Sequence, residues 1–182
     1  MSHYRSGPRE GGFYKTAGAL AVLAVLFMAP QAHAQEWTTA ASGCVPDEDS
    51  VGAYNLEQAR FEFLGAATGQ IVARCNITNP RDDAASPGWD CMTITYDDPD
   101  GFFSQYRVRV QLRLVRDTDG ASQTITTFDS NLVADSNPEV HCFSHTFNFL
   151  RNAYYLTLIL DRENAQANPR VMRVRLFENV EG

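Results

Sequence analysis

From residue 59 to residue 177, apolar and polar side chains alternate in short runs. A period of two sends successive side chains to opposite faces of a β-strand. Ala59, Phe61 and Phe63 alternate with Arg60 and Glu62. Ile71, Ala73, Cys75 and Ile77 alternate with Arg74 and Asn76, and Met92, Ile94 and Tyr96 with Thr93 and Thr95. The longest run sets Tyr106, Val108, Val110, Leu112 and Leu114 against Arg107, Arg109, Gln111 and Arg113. Val140 to Arg162 reads as two strands back to back. Phe143, His145, Phe147 and Phe149 share one face of the first. After a break at Arg151-Asn152, Tyr154, Leu156, Leu158 and Leu160 line one face of the second, against Tyr155, Thr157 and Asp161 with Ile159 as the apolar exception. Gln123 to Phe128 and Val133 are weaker. In the last strand Met172, Val174 and Leu176 oppose Arg173, Arg175 and Phe177.

Turn residues separate these runs: Gly65 to Gly69, Asn79 to Gly88, the Asp97-Asp98-Pro99-Asp100-Gly101 turn, and the hairpin signal Asp119-Gly120. No helical period is convincing, and Leu56–Gln58 has room for one helical turn at most. About eight short strands, each wet on one face, predict an all-β fold. Two antiparallel sheets packed as a sandwich, jelly-roll or immunoglobulin-like, satisfy that pattern. Outward arginine and threonine disfavour a transmembrane barrel.

The N-terminal end has a different pattern. Met1 to Lys15 is polar and positive, Ala17 to Met28 is apolar, and Ala32-His33-Ala34 is a small-x-small cleavage pattern. These are the three regions of a secretory signal peptide, expected over residues 1–34. The apolar run is shorter than the about 20 residues of a membrane span. No cysteine for a lipid anchor and no twin arginine accompany it. The remainder, about 150 residues, suits one domain with a proper core: an N-terminal arm over 35–56, tacked on by Cys44, and a sandwich over 57–182. It is expected in the periplasm or outside the cell, with no membrane span after processing.

The full chain carries a net charge of −7. The leader holds Arg5, Arg9 and Lys15 against Glu10 alone, so the remainder is more acidic still. Lys15 is the only lysine, which excludes lysine-nucleophile chemistry. Nucleic acid is not an expected partner of so acidic a chain. Four cysteines, Cys44, Cys75, Cys91 and Cys142, form an even set in an exported protein and predict two disulfides. Three pairings are open, and Cys44–Cys75 with Cys91–Cys142 is favoured. No CxxC pair supports a zinc site.

Cys44-Val45-Pro46, Thr68-Gly69-Gln70-Ile71-Val72 leading to Cys75, Ile94-Thr95-Tyr96-Asp97 and the Asp-Gly turn form one set of motifs. Ser144-His145-Thr146-Phe147-Asn148-Phe149, Tyr154-Tyr155 and Leu160-Asp161-Arg162 form another. Together they resemble a family of small uncharacterised secreted bacterial proteins. The resemblance spans most of the chain after the leader. It implies export, a β-rich fold and the Cys44–Cys75 bridge, and carries over no catalytic or ligand residue.

Asp97, Asp98 and Asp100 crowd one turn. Clustered carboxylates in loops suit calcium, so a structural calcium site is an alternative to ordinary turn chemistry there. No other cofactor is expected. His141 and His145, four apart on a strand, would lie about 13 Å apart and cannot share one ion without a bend. His145, in a row of phenylalanines, reads as a core histidine. No G-x-S-x-G elbow or H-E-x-x-H motif is present, so the chain is read as non-catalytic. The arginine row Arg107, Arg109 and Arg113, joined by Arg173 and Arg175 if their strands pair, would form a basic stripe. That stripe could take an anionic glycan or the envelope surface through bidentate contacts. Trp89 is the aromatic expected to accompany it. Two functions follow: a binding module for carbohydrate or another envelope component, or a structural or assembly subunit of the cell surface. An exposed Trp89 beside a cleft favours the first, a buried Trp89 with a naked sheet edge the second. The oligomeric state stays open.

Overall fold

The computed structural model describes residues 35–80, 86–133 and 137–179. The leader expected over 1–34 lies outside them. The strands are β1 (Trp37–Ala40), β2 (Val45–Pro46), β3 (Tyr54–Glu57), β4 (Arg60–Phe63), β5 (Gly69–Ile77), β6 (Cys91–Asp97), β7 (Tyr106–Arg116), β8 (Ser122–Asp129), β9 (Glu139–Cys142), β10 (Asn152–Arg162) and β11 (Arg170–Phe177). All pairings are antiparallel. One sheet runs β3-β4-β11-β6-β9, with β1 also on β11, and the other runs β2-β5-β10-β7-β8. The orders β4-β11-β6-β9 and β5-β10-β7-β8 make the chain wrap alternately between layers. Of the two sandwich types expected, this is the jelly-roll.

The period-two reading explains why these segments are strands. On β7, Tyr106, Val108, Val110, Leu112 and Leu114 are buried and the residues between them are not. Val108, Val110, Leu112 and Leu114 meet Tyr154, Leu156, Leu158 and Leu160 of β10 and Ile71, Ala73, Cys75 and Ile77 of β5 in one core with Phe61, Phe63, Ile94, Val174 and Leu176 of the facing sheet. Among the described residues no helix is long and apolar enough to cross a membrane.

Several expectations are corrected. The arm over 35–56 supplies β1, β2 and most of β3, and a boundary at 56 would cut β3. Its apolar residues are too few for a periodic signal, because each strand is short. Leu56 and Glu57 belong to β3, with Gln58 in the tight turn to β4 rather than in a helix. Gln58 and Ala59 both have positive φ there, so Ala59 is a turn residue and not part of the alternating face. In β11 the register shifts between Val171 and Arg173. This bulge buries Val171 and Val174 and turns Met172 partly outward.

The strand expected through Phe149 stops at Cys142. Residues 143–148 stay extended without a ladder, because their backbone groups find other partners. The Phe143 amide donates to Asp90 O at 2.7 Å, and the Asn148 amide to the Tyr154 hydroxyl at 2.8 Å. The alternation of faces survives all the same, with Phe147 buried and Ser144, Thr146 and Asn148 exposed.

Candidate functional site

The outer face of the five-stranded sheet carries an ordered polar array. β10 is central, and its registers with β5 and β7 set outward residues in rows: Gln70–Asp161–Arg107, Val72–Ile159–Arg109, Arg74–Thr157–Gln111 and Asn76–Tyr155–Arg113. Asp161 uses both oxygens, accepting from Gln70 Nε2 at 2.7 Å and from Arg109 at 2.9 Å. Arg107 is paired with Asp129, and Arg74 with Asp47 at 2.6 Å. The Tyr155 hydroxyl bonds Ser122 Oγ at 2.7 Å, with Arg113 over its ring at 5.8 Å. These contacts fix long side chains in one arrangement, which lowers the ordering cost of any ligand they receive.

At one end the face deepens into an open cleft of about 710 Å³. Gln70, Arg109 and Asp161 contribute to its lining, with Ser104 and Asn131 from the segments after β6 and β8, Arg162 at the end of β10 and Glu163 just past it. Arg162 is buried and donates to the carbonyls of Gly65 (2.8 Å), Ala67 (3.0 Å) and Asn164 (3.1 Å), so it locks the loops at that end. Phe102 and Phe103, just before Ser104, are 61% and 72% exposed, and Leu132, just after Asn131, is 78% exposed. Apolar side chains therefore flank the cleft-lining residues of both loops.

The structure divides the residues singled out from sequence. Arg107 and Arg109 reach the cleft, but each is neutralised by an aspartate. Arg113 lies on the same face over Tyr155. Arg173 and Arg175 are on β11, in the other sheet, so the continuous basic stripe does not form. The two strands share a pattern but not a layer. Trp89 is 1% exposed, with its Nε1 donating to Gln35 O at 2.8 Å, and is not a surface ring. Of the three turn aspartates, Asp97 is drawn away to Arg170 at 2.6 Å. Asp98 is buried, and Asp100 Oδ2 accepts from the amides of Gln105 and Tyr106 at 3.0 and 3.3 Å. Among the described residues no group of three or more His, Cys, Asp or Glu converges on one point.

The histidines have separate partners. His141 Nε2 bonds Thr126 Oγ1 at 2.8 Å, linking edge strand β9 to edge strand β8 across the sandwich, and His145 Nε2 meets the Tyr154 hydroxyl at 3.2 Å. The most informative residues that sequence reasoning missed are Asp161, Gln70, Phe102 and Phe103. Asp161 was already visible as outward, but its partnership with Arg109 is a fact of register. The adjacent Phe102-Phe103 pair breaks alternation, which was the available signal.

Burial lowers the pKa of His141, with Glu139 opposing, and burial lowers that of His145. Both are favoured neutral in the fold, while the unfolded chain takes up their protons near 6.5. Their contribution to stability is therefore present above pH about 6.5 and is lost on acidification, at up to about 1.4 kcal/mol per pH unit for each. Asp98 acts in the opposite sense: burial, with Asp100 nearby, pushes its carboxyl up to about 7. The measurement is thus a difference. Urea midpoints of the wild type and His141→Gln should converge between pH 7.5 and 5.5. A gap independent of pH would contradict the assignment.

No protein-family model matches the chain, nor does any curated protein. Several solved structures are similar to it, three of them as follows. One is a low-affinity xylan-binding module, CBM86, from Roseburia intestinalis, with 11% identity and TM-score 0.42, covering 78% of this chain and 94% of that one. Another is the xylan-binding module CBM15, with 14% identity and TM-score 0.43, covering 81% and 99%. The third is a family two carbohydrate esterase from Cellvibrio japonicus, with 13% identity and TM-score 0.42, covering 80% of this chain and 34% of that one.

Proposed function

We propose that this protein is an exported, non-catalytic module whose five-stranded sheet binds a carbohydrate chain along its outer face and cleft. The observation that carries the reading is the Gln70–Asp161–Arg109 network in the cleft. A sugar hydroxyl both donates and accepts, and this floor offers fixed donors and acceptors side by side. Arg107 and Arg109 are each balanced by an aspartate, so the face exerts little net pull on an anion, and a neutral glycan fits it better than the anionic one the arginine row suggested. Phe102 and Phe103, exposed and next in sequence to the cleft-lining Ser104, are the rings available for the apolar face of a sugar. Asp161 is engaged at both oxygens, which suits a binding role and not a general base. Two disulfides support a location outside the cytoplasm, in the periplasm or beyond the cell.

The test is a glycan array of the secreted chain followed by calorimetric titration. Neutral polysaccharides should bind with little dependence on salt, since no net ion pairing drives the contact. Asp161→Ala should weaken binding at least about tenfold, because it releases both Arg109 and Gln70 (about 1.4 kcal/mol or more). Failure to bind any neutral glycan, or an unaffected Asp161→Ala variant, overturns the reading.

A second reading, an assembly subunit, is favoured by two observations. β8 pairs only with β7 among the described residues, leaving a sheet edge open, and Trp89 is buried. Size-exclusion chromatography separates the two: a monomer that binds glycan supports the module, a large homogeneous particle the subunit.

A further inference from the structure

We infer that Asp98, Asp100 and Ser130 form a calcium site that ties the loop after β6 to the turn after β8. Five other aspartates, Asp47, Asp97, Asp119, Asp129 and Asp161, each meet an arginine. Asp98 and Asp100 meet none among the described residues. Asp98 is 8% exposed, and both its carboxylate oxygens are buried without a hydrogen bond. Asp100 Oδ1 is likewise buried and unpartnered, while Oδ2 is committed to the amides of Gln105 and Tyr106. Asp100 and the Ser130 hydroxyl lie near enough to Asp98 to bias its carboxyl, though neither makes a hydrogen bond of ordinary geometry with it.

A buried carboxylate with no partner is costly, and two side by side more so. A divalent cation removes both penalties at once. The donor set is oxygen only, which excludes the nitrogen and sulfur preference of zinc. Three carboxylate oxygens and a hydroxyl from two different loops make an irregular set. Calcium accepts such a set among its six to eight ligands, whereas magnesium demands near-octahedral order. Solvent supplies the remaining positions. Ser130 Oγ also accepts from the Val108 amide at 2.8 Å, so the ion would sit against the start of β7. It would hold in register the two loops that bring Ser104 and Asn131 to the cleft.

The experiment is calorimetric titration of calcium chloride into the secreted chain, with thermal melts in calcium and in EDTA. One ion per chain should bind saturably. Calcium well above its dissociation constant should raise Tm on the order of 5 °C over EDTA. Asp98→Asn should still fold and lose both effects, and Asp100→Asn carries the same test should the first variant fail to fold. Identical melts of the wild type in calcium and EDTA, or an equal rise in either folded variant, overturn the site. Neither readout involves sugar, so the outcome is independent of glycan binding.

Discussion

Replacing all four cysteines by serine should bring the protein to the edge of unfolding at room temperature. Cys44 is bonded to Cys75 and Cys91 to Cys142, with sequence separations of 31 and 51, and no cysteine is free. On the chain-entropy model each bridge withholds about 4 kcal/mol of freedom from the unfolded chain. Together that approaches the whole 5–15 kcal/mol stability typical of a domain. The two bridges act at different places. Cys44 lies between β1 in one sheet and β2 in the other, so its bridge to β5 fastens the crossing of the N-terminal segment between layers. Cys91 and Cys142 stand directly opposite on β6 and β9 and hold a four-residue edge strand in place. Urea midpoints should drop for each paired variant, and hydrogen exchange should rise at β9 only when the second bridge is removed. A quadruple variant as resistant to urea as the wild type would refute the assignment.

The central strands were legible in the sequence because one rule governs them. β5, β6, β7 and β10 run long enough for a period of two to stand out, and burial on one face is all that the pattern encodes. What the sequence did not show are facts about neighbours. Arg109 and Asp161 are 52 residues apart, and nothing local says that β7 and β10 adjoin in a register that brings them together. The same ignorance allowed Arg173 and Arg175 to be placed beside Arg107. In β11 one bulge displaced the buried set from Met172 to Val171, since an inserted residue shifts parity without changing composition. The segment 143–148 shows the converse. Its side chains alternate as in a strand, yet its backbone bonds elsewhere, because parity reports the face of an extended chain and not its hydrogen-bond partners.

Trp89→Ala should cost about 3–5 kcal/mol of stability, the range for removing a large aromatic from a packed core. Trp89 meets Phe147 edge-on at 5.2 Å between ring centres and Phe149 at 6.2 Å, and those rings pack on Tyr154 at 4.8 Å each. Through this cluster Trp89 covers segment 143–148, which no ladder secures. Its indole also holds the Gln35 carbonyl, so truncation leaves that acceptor unpaired as well as opening a cavity. Trp89→Phe should cost less, because it restores most of the ring volume and loses only the hydrogen bond and part of the contact. None of Gln35, Phe147 and Phe149 lines the cleft on the five-stranded sheet. The folded Trp89→Ala protein, measured well below its melting temperature, should therefore bind glycan with wild-type affinity while its urea midpoint falls steeply. A variant of unchanged stability that no longer binds would return Trp89 to the ligand surface and remove the cleft from the argument. The opposite pairing, weakened folding with intact binding, separates the ring that holds the sandwich together from the residues that meet the sugar.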